Sequence, residues 1–130
     1  MLRAPAVVIV AALLLVTLGA CTSEHRDSAT YGSFSELQAA VEKADHSCTT
    51  LSPVLEHADA RQMALCGDGT VLAVYAGPKM VASQLALARS LQKTLGAKDE
   101  SWLCGPNWTI SGTSDLGNLQ SRLGGRLCTG

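Results

Sequence analysis

The sequence is poor in aromatic side chains and in charge. Aromatic residues make up 4% and charged residues 16% of the 130 residues, and the formal net charge is −1. A nucleic-acid partner requires a basic face that displaces counterions, so this balance argues against one. No glycine-rich phosphate loop, nucleophile elbow or C-x-x-C pair occurs either, and no cofactor or catalytic motif stands out.

The N-terminus carries the most specific signal. Arg3 precedes an uncharged run over 4–18, which suits the apolar region of a secretory signal and falls short of the roughly 20 residues that span a bilayer. The run ends on Leu18-Gly19-Ala20-Cys21. These four residues resemble the lipobox of bacterial lipoproteins. The resemblance implies a signal peptide over 1–20, cleavage before Cys21 and a lipid on its thiol, anchoring the chain at the extracytoplasmic face of the cell membrane.

Removal of this signal leaves 110 residues, enough for one small domain. The polar segment over 21–32 is predicted to be a lipidated flexible tether, and residues 33–130 to form a single α+β domain. Ser33 and Glu36 fit a capping box, and Gly67-Asp68-Gly69 predicts a hairpin turn. The predicted elements are helices over 34–45 and 79–95, strands over 62–66, 70–76, 101–104 and 107–111, and a last helix begun by Thr113 or Ser114 and ended by Gly124-Gly125.

The order αββαββα predicts a small antiparallel sheet of two hairpins packed on about three helices, with a loop over 49–60. Without Cys21, four cysteines remain: Cys48, Cys66, Cys104 and Cys128. An even set in an exported chain predicts two disulfides, and the wide spacing argues against zinc. Of the three possible connectivities, the element order favours 48–66 and 104–128, because each pair then joins a hairpin to a neighbouring helix end.

Three short motifs lie along the domain: C-G-D-G before an apolar strand, G-P-N-W-T-I over 105–110, and a closing L-G-G. With the early helix followed by a cysteine, they resemble a group of small exported or lipid-anchored actinobacterial proteins of uncharacterised function. The resemblance covers roughly 34–127 and implies a fold without implying an activity. It also implies that Cys104 and Cys128 are an added disulfide.

Two residue sets are candidates for a site. Trp102 and Trp108 flank the Gly105-Pro106 turn, and their indoles could form a binding platform, since tryptophan is favoured in interface hot spots. The alternative is that Trp108 fills the core and Trp102 covers Cys104. The second set could form a small metal or acid/base site, although its spacing matches no known ligand pattern. It comprises His46, His57, Asp45, Glu56 and Asp59.

The sequence therefore predicts a membrane-anchored extracytoplasmic lipoprotein that acts as a binding or interaction module of the cell envelope. Its expected partners are membrane lipid, through Cys21, and an envelope protein. The alternative is a small envelope enzyme or metal-binding protein that uses the histidine and carboxylate loop.

Overall fold

One antiparallel sheet with helices on both faces organises the computed structural model, which describes residues 28–51, 55–56 and 62–129. The strand order is β1-β2-β3-β5-β4-β6. The elements in chain order are α1 (Phe34–Lys43), β1 (Leu55–Glu56), β2 (Gln62–Leu65), β3 (Val71–Val74), α2 (Pro78–Leu95), β4 (Ser101–Cys104), β5 (Trp108–Ser111), α3 (Leu116–Leu123) and β6 (Arg126–Thr129).

The α+β class and both hairpins are confirmed. The described sheet has six strands, however, whereas the two predicted hairpins account for only four of them. The strand β1 lies inside the segment predicted as a loop, and β6 follows the last helix. Both are edge strands that pair with a hairpin strand, β1 with β2 and β6 with β4. Their short sequences carry no alternation, so pairing with another strand of the sheet defines them.

The helix ends follow local chemistry. The Ser33 hydroxyl accepts from the Glu36 N–H at 3.3 Å, while the Glu36 carboxylate accepts from the N–H of Gly32 at 2.7 Å. The predicted capping box is therefore present, except that the Glu36 carboxylate accepts from the N–H of Gly32 and not from that of the cap residue Ser33. Helix α2 begins at Pro78 and is capped after Leu95 by Gly96, whose φ of 66° is the left-handed conformation that glycine adopts at little cost. The residue that precedes α3 is Asp115, which follows the predicted cap residues Thr113 and Ser114.

The sheet separates two apolar clusters. On one face, α1 and α3 cover Leu72, Leu103, Trp108 and Ile110, which are completely buried. On the other face, α2 contacts a smaller cluster, and only Val81 and Leu85 of its 18 residues are buried. Helix α2 is therefore the most exposed helix in the described part of the fold. None of the described helices is long and apolar enough to cross a membrane.

Both predicted disulfides are confirmed. Cys48–Cys66 joins the loop after α1 to the end of β2, and Cys104–Cys128 joins β4 to β6. The partners are 18 and 24 residues apart, a loop size for which chain entropy gives about 3 kcal/mol per disulfide.

Candidate functional site

A groove of about 410 Å³ runs beside the N-terminal half of α2. Val81, Ala82 and Leu85 form its helical wall. The turn at 105–106 and the backbone at 125–126 form the opposite wall. Its volume lies near the lower end of the roughly 300–1,000 Å³ that small-molecule sites occupy, and its lining is mostly apolar, as in such sites.

Glycine is required in the wall opposite α2, because the Trp108 indole lies directly beneath it. A Cβ at Gly105 would overlap the Trp108 ring. Gly125 has a φ of 81°, and a Cβ there would lie 2.8 Å from the carbonyl oxygen of Cys104. Side chains at either position would displace the indole or the strand. The absence of side chains at Gly105 and Gly125 therefore lets the Trp108 indole and the β4 backbone pack directly against this wall.

The N-terminal end of the described chain lies at this groove, where Ser28 is part of the lining. The Trp108 indole N–H donates to the carbonyl of Ala29 at 2.9 Å. Asn107 accepts from the Tyr31 N–H at 3.1 Å and donates to the Tyr31 carbonyl at 2.7 Å. Residues 28–32, the part of the tether predicted over 21–32 that the structure describes, are therefore held on the β4–β5 hairpin, while 21–27 lie outside the described residues. We call these contacts of Asn107 and Trp108 the latch.

The two tryptophans do not form a shared platform. Trp108 is completely buried in the cluster under α1 and α3. Trp102 is half-buried in the cluster under α2, and its indole N–H is buried without a hydrogen-bond partner in the described chain. Because side chains alternate along β4, Trp102 points away from Leu103, which shares its face with Trp108. The alternative in which Trp108 fills the core is therefore confirmed.

His46 is 8% exposed and is bonded through both ring nitrogens. Nδ1 lies 3.1 Å from Asp115 Oδ2, and Nε2 lies 3.0 Å from Asp68 Oδ2 and 3.0 Å from the hydroxyl of Thr70. The ring therefore lies between two carboxylates and a hydroxyl that are within hydrogen-bond distance of its nitrogens. We call this arrangement the His46 clamp, since it joins the loop after α1, the β2–β3 turn and the start of α3.

The charge of Asp68 is stabilised within this clamp. The pKa of its carboxyl is held below its ordinary value, chiefly because the Thr70 N–H and then the Thr70 hydroxyl donate to it, with the charge of His46 adding to the effect. Thr70 is completely buried, so its hydroxyl has no access to a substrate. We therefore interpret the clamp as a set of structural contacts, although a carboxylate, a histidine and a hydroxyl are also the three groups of a catalytic triad.

Among the other members of the predicted histidine site, Asp45 does not join the His46 clamp, and Glu56 belongs to the edge strand β1. Asp45 is exposed and pairs with Arg122 at 3.2 Å. His57 and Asp59 lie outside the described residues, as does the predicted lipidation residue Cys21. Within the described residues, no group of three or more histidine, cysteine or carboxylate side chains is arranged to hold a metal ion.

One charged side chain lines the described wall of the groove. Arg126 is exposed at the start of β6, and its guanidinium makes no hydrogen bond or ion pair with the described residues. Sequence reasoning missed this residue and the groove itself. The available signal was Gly105 and Gly125, which both lie against the buried Trp108. The sequence does not show that these two glycines form one wall, because that depends on β4, β5 and β6 lying side by side.

Comparison with protein-family models, with curated proteins and with solved structures found no match for this chain. The resemblances to bacterial lipoproteins and to small actinobacterial proteins therefore stay predictions from the sequence.

Proposed function

We propose that this chain is a bacterial lipoprotein, anchored through Cys21 at the outer face of the cell membrane, and that it is a binding module of the cell envelope. Its binding site is the groove beside α2. This moves the site from the Trp102–Trp108 pair expected from the sequence, because Trp108 is buried in the core. An apolar groove that carries one cationic side chain without a partner among the described residues suits a binding surface.

The observation that carries this proposal is the position of Ser28 in the groove lining. Only six residues separate Ser28 from Cys21. Seven residue steps span at most about 24 Å when extended, and about 15 Å as a flexible coil. The latch fixes the start of the domain, so a lipid on Cys21 would keep the groove close to the lipid headgroups.

The anchor is tested by the mass and location of the protein in a bacterial host that lipidates lipoproteins. We expect the wild-type protein in the membrane fraction, with a mature N-terminus at Cys21 that carries a diacylglyceryl-sized mass increment. Cys21→Ala is the matched variant and should lose both the increment and the mature N-terminus. An intact mass that shows an unmodified Cys21, or residues 1–20 still attached to the wild-type protein, would contradict the proposal.

The binding role is tested by photo-cross-linking in intact cells from Ala82, which lines the groove. Ser83 is the matched control, because the next helical position points about 100° away. Adducts formed from Ala82 and absent from Ser83 are expected. Equal or no adducts at the two positions would contradict a binding role for the groove.

A further inference from the structure

We propose that the groove binds the acyl chain of a single-chain anionic amphiphile, such as a long-chain fatty acid, and that Arg126 binds its head group. The inference rests on the proposed function, since it names the ligand of the same groove. It commits to an amphiphile taken from the adjacent membrane, and the acyl chain on the protein's own Cys21 is the competing occupant.

The lining specifies the tail. The α2 wall offers Val81, Ala82 and Leu85, and the opposite wall offers backbone, Pro106 and the half-cystine Cys104. Such a surface has few groups with which to satisfy a polar ligand, whereas each buried CH₂ contributes about 0.8 kcal/mol. A volume of about 410 Å³ suits one chain better than the two chains of a phospholipid.

The charge specifies the head group. Arg126 stands at the groove with no partner among the described residues, and a guanidinium binds a carboxylate or phosphate through paired hydrogen bonds. Helix α2, which forms the facing wall, contains three basic residues and no acidic one. Its basic residues are Lys79, Arg89 and Lys93. A cationic head group would be repelled there, and an uncharged one would leave the guanidinium without a partner.

The position specifies the source. The groove begins at Ser28, six residues from the anchoring cysteine, so the membrane that holds the protein is also the nearest reservoir of acyl chains. A short tether raises the effective concentration of the groove at that surface. A water-soluble ligand would gain nothing from this placement.

The test uses the mature chain from residue 21 with Cys21→Ala, which is unlipidated and retains every described contact, since these lie between residues 28 and 129. The probe is a fluorescent fatty acid displaced by palmitate, with hexadecanol as the uncharged ligand of equal chain length. We expect saturable binding that palmitate displaces about tenfold better than hexadecanol does. Absence of saturable binding, or equal displacement by both ligands, would overturn the proposal.

Two variant pairs locate the binding. Ala82→Phe fills the groove and should weaken palmitate binding at least tenfold, whereas Ser83→Phe, one position along the exposed helix, should leave it unchanged. Arg126→Gln should weaken palmitate binding about tenfold and hexadecanol binding little. Arg122→Gln, on α3 across the sheet, should change neither. Near-UV circular dichroism verifies the fold of each variant, and equal effects within either pair would contradict the assignment.

The lipidated wild-type protein in nanodiscs separates the two occupants. Uptake of the probe by both the lipidated and unlipidated forms supports a membrane amphiphile. Uptake by the unlipidated form alone means that the chain on Cys21 fills the groove, which overturns the committed occupant. If Cys21 proves unmodified while the unlipidated chain binds palmitate, the anchor fails and the ligand assignment stands. If the anchored protein binds no amphiphile, this inference fails alone.

Discussion

Removal of the His46 side chain tests whether the clamp holds three parts of the fold together. The imidazole bonds Asp68, Thr70 and Asp115 at 3.0 to 3.1 Å, and His46 is 8% exposed. Hydrogen bonds to charged groups contribute about 1.5–3 kcal/mol each, but the two carboxylates are 46% and 39% exposed and are partly screened. We therefore expect His46→Ala to lower the free energy of unfolding by about 2–4 kcal/mol, including the cavity it leaves.

Urea unfolding of the mature chain at pH 7, with the disulfides intact, measures this loss. Two-state domains of this size have slopes of about 1–3 kcal/mol per molar urea, so the midpoint should fall by at least about 0.7 M at an unchanged slope. His25→Ala, in the predicted tether, is the histidine control and should leave the midpoint unchanged. A loss below about 0.5 kcal/mol for His46→Ala would refute the clamp.

A double-mutant cycle separates the bonds of His46 from the packing of its ring. Asp115→Asn removes a charged acceptor while keeping the shape of the side chain. If the bond at 3.1 Å contributes to stability, the effects of His46→Ala and Asp115→Asn should fall short of additivity by about 0.5–1 kcal/mol. Additive effects would show that the ring stabilises the fold through packing alone.

Three further outcomes follow from contacts described above. Because the pKa of Asp68 is lowered in the folded protein, its charge stabilises the fold above the unfolded pKa of about 3.9, and this stability is lost as the pH falls through the folded pKa. Below about pH 4, the urea midpoint of Asp68→Asn should therefore fall less than the midpoint of the wild-type protein does. Asn107→Ala removes both bonds to Tyr31 and should make residues 28–32 cleavable by limited proteolysis under conditions that leave the wild-type segment intact. The double variant Cys104→Ala/Cys128→Ala should lower the free energy of unfolding by about 3 kcal/mol in thermal or urea unfolding, and an unchanged midpoint would contradict the estimate.

Local signals were sufficient for much of this fold. The Ser33 cap, Pro78, Gly96 and the Gly67-Asp68-Gly69 turn each act within a few residues, and each marks an element boundary that the structure has. The edge strand β6 lacked such a signal. It exists because residues 126–129 pair with β4, from which they are separated by β5 and the whole of α3.

The position of the groove could not be predicted for the same reason. Residues 28–32 have the polar composition of a linker, and what makes them part of the domain is Asn107 and Trp108, more than 70 residues away in sequence. The predicted tryptophan platform is wrong because the pairing register of β4 and β5 places the two indoles on opposite faces of the sheet. Leu103 pairs with Ile110, so β4 turns Trp102 to one face while β5 turns Trp108 to the other.

The G-P-N-W segment would link the proposed anchor to the groove. Gly105 leaves room for the Trp108 indole, Pro106 lines the groove, and Asn107 with Trp108 holds the start of the domain. Release of residues 28–32 would lengthen the segment between Cys21 and the latched part of the domain, which as a flexible chain would raise its reach from about 15 Å to about 20 Å, and would remove Ser28 from the lining. A latch variant should therefore weaken uptake of an amphiphile from a membrane more than it weakens binding of the same amphiphile in solution. That difference would arise only if the latch, as well as the lining, positions the groove for its ligand.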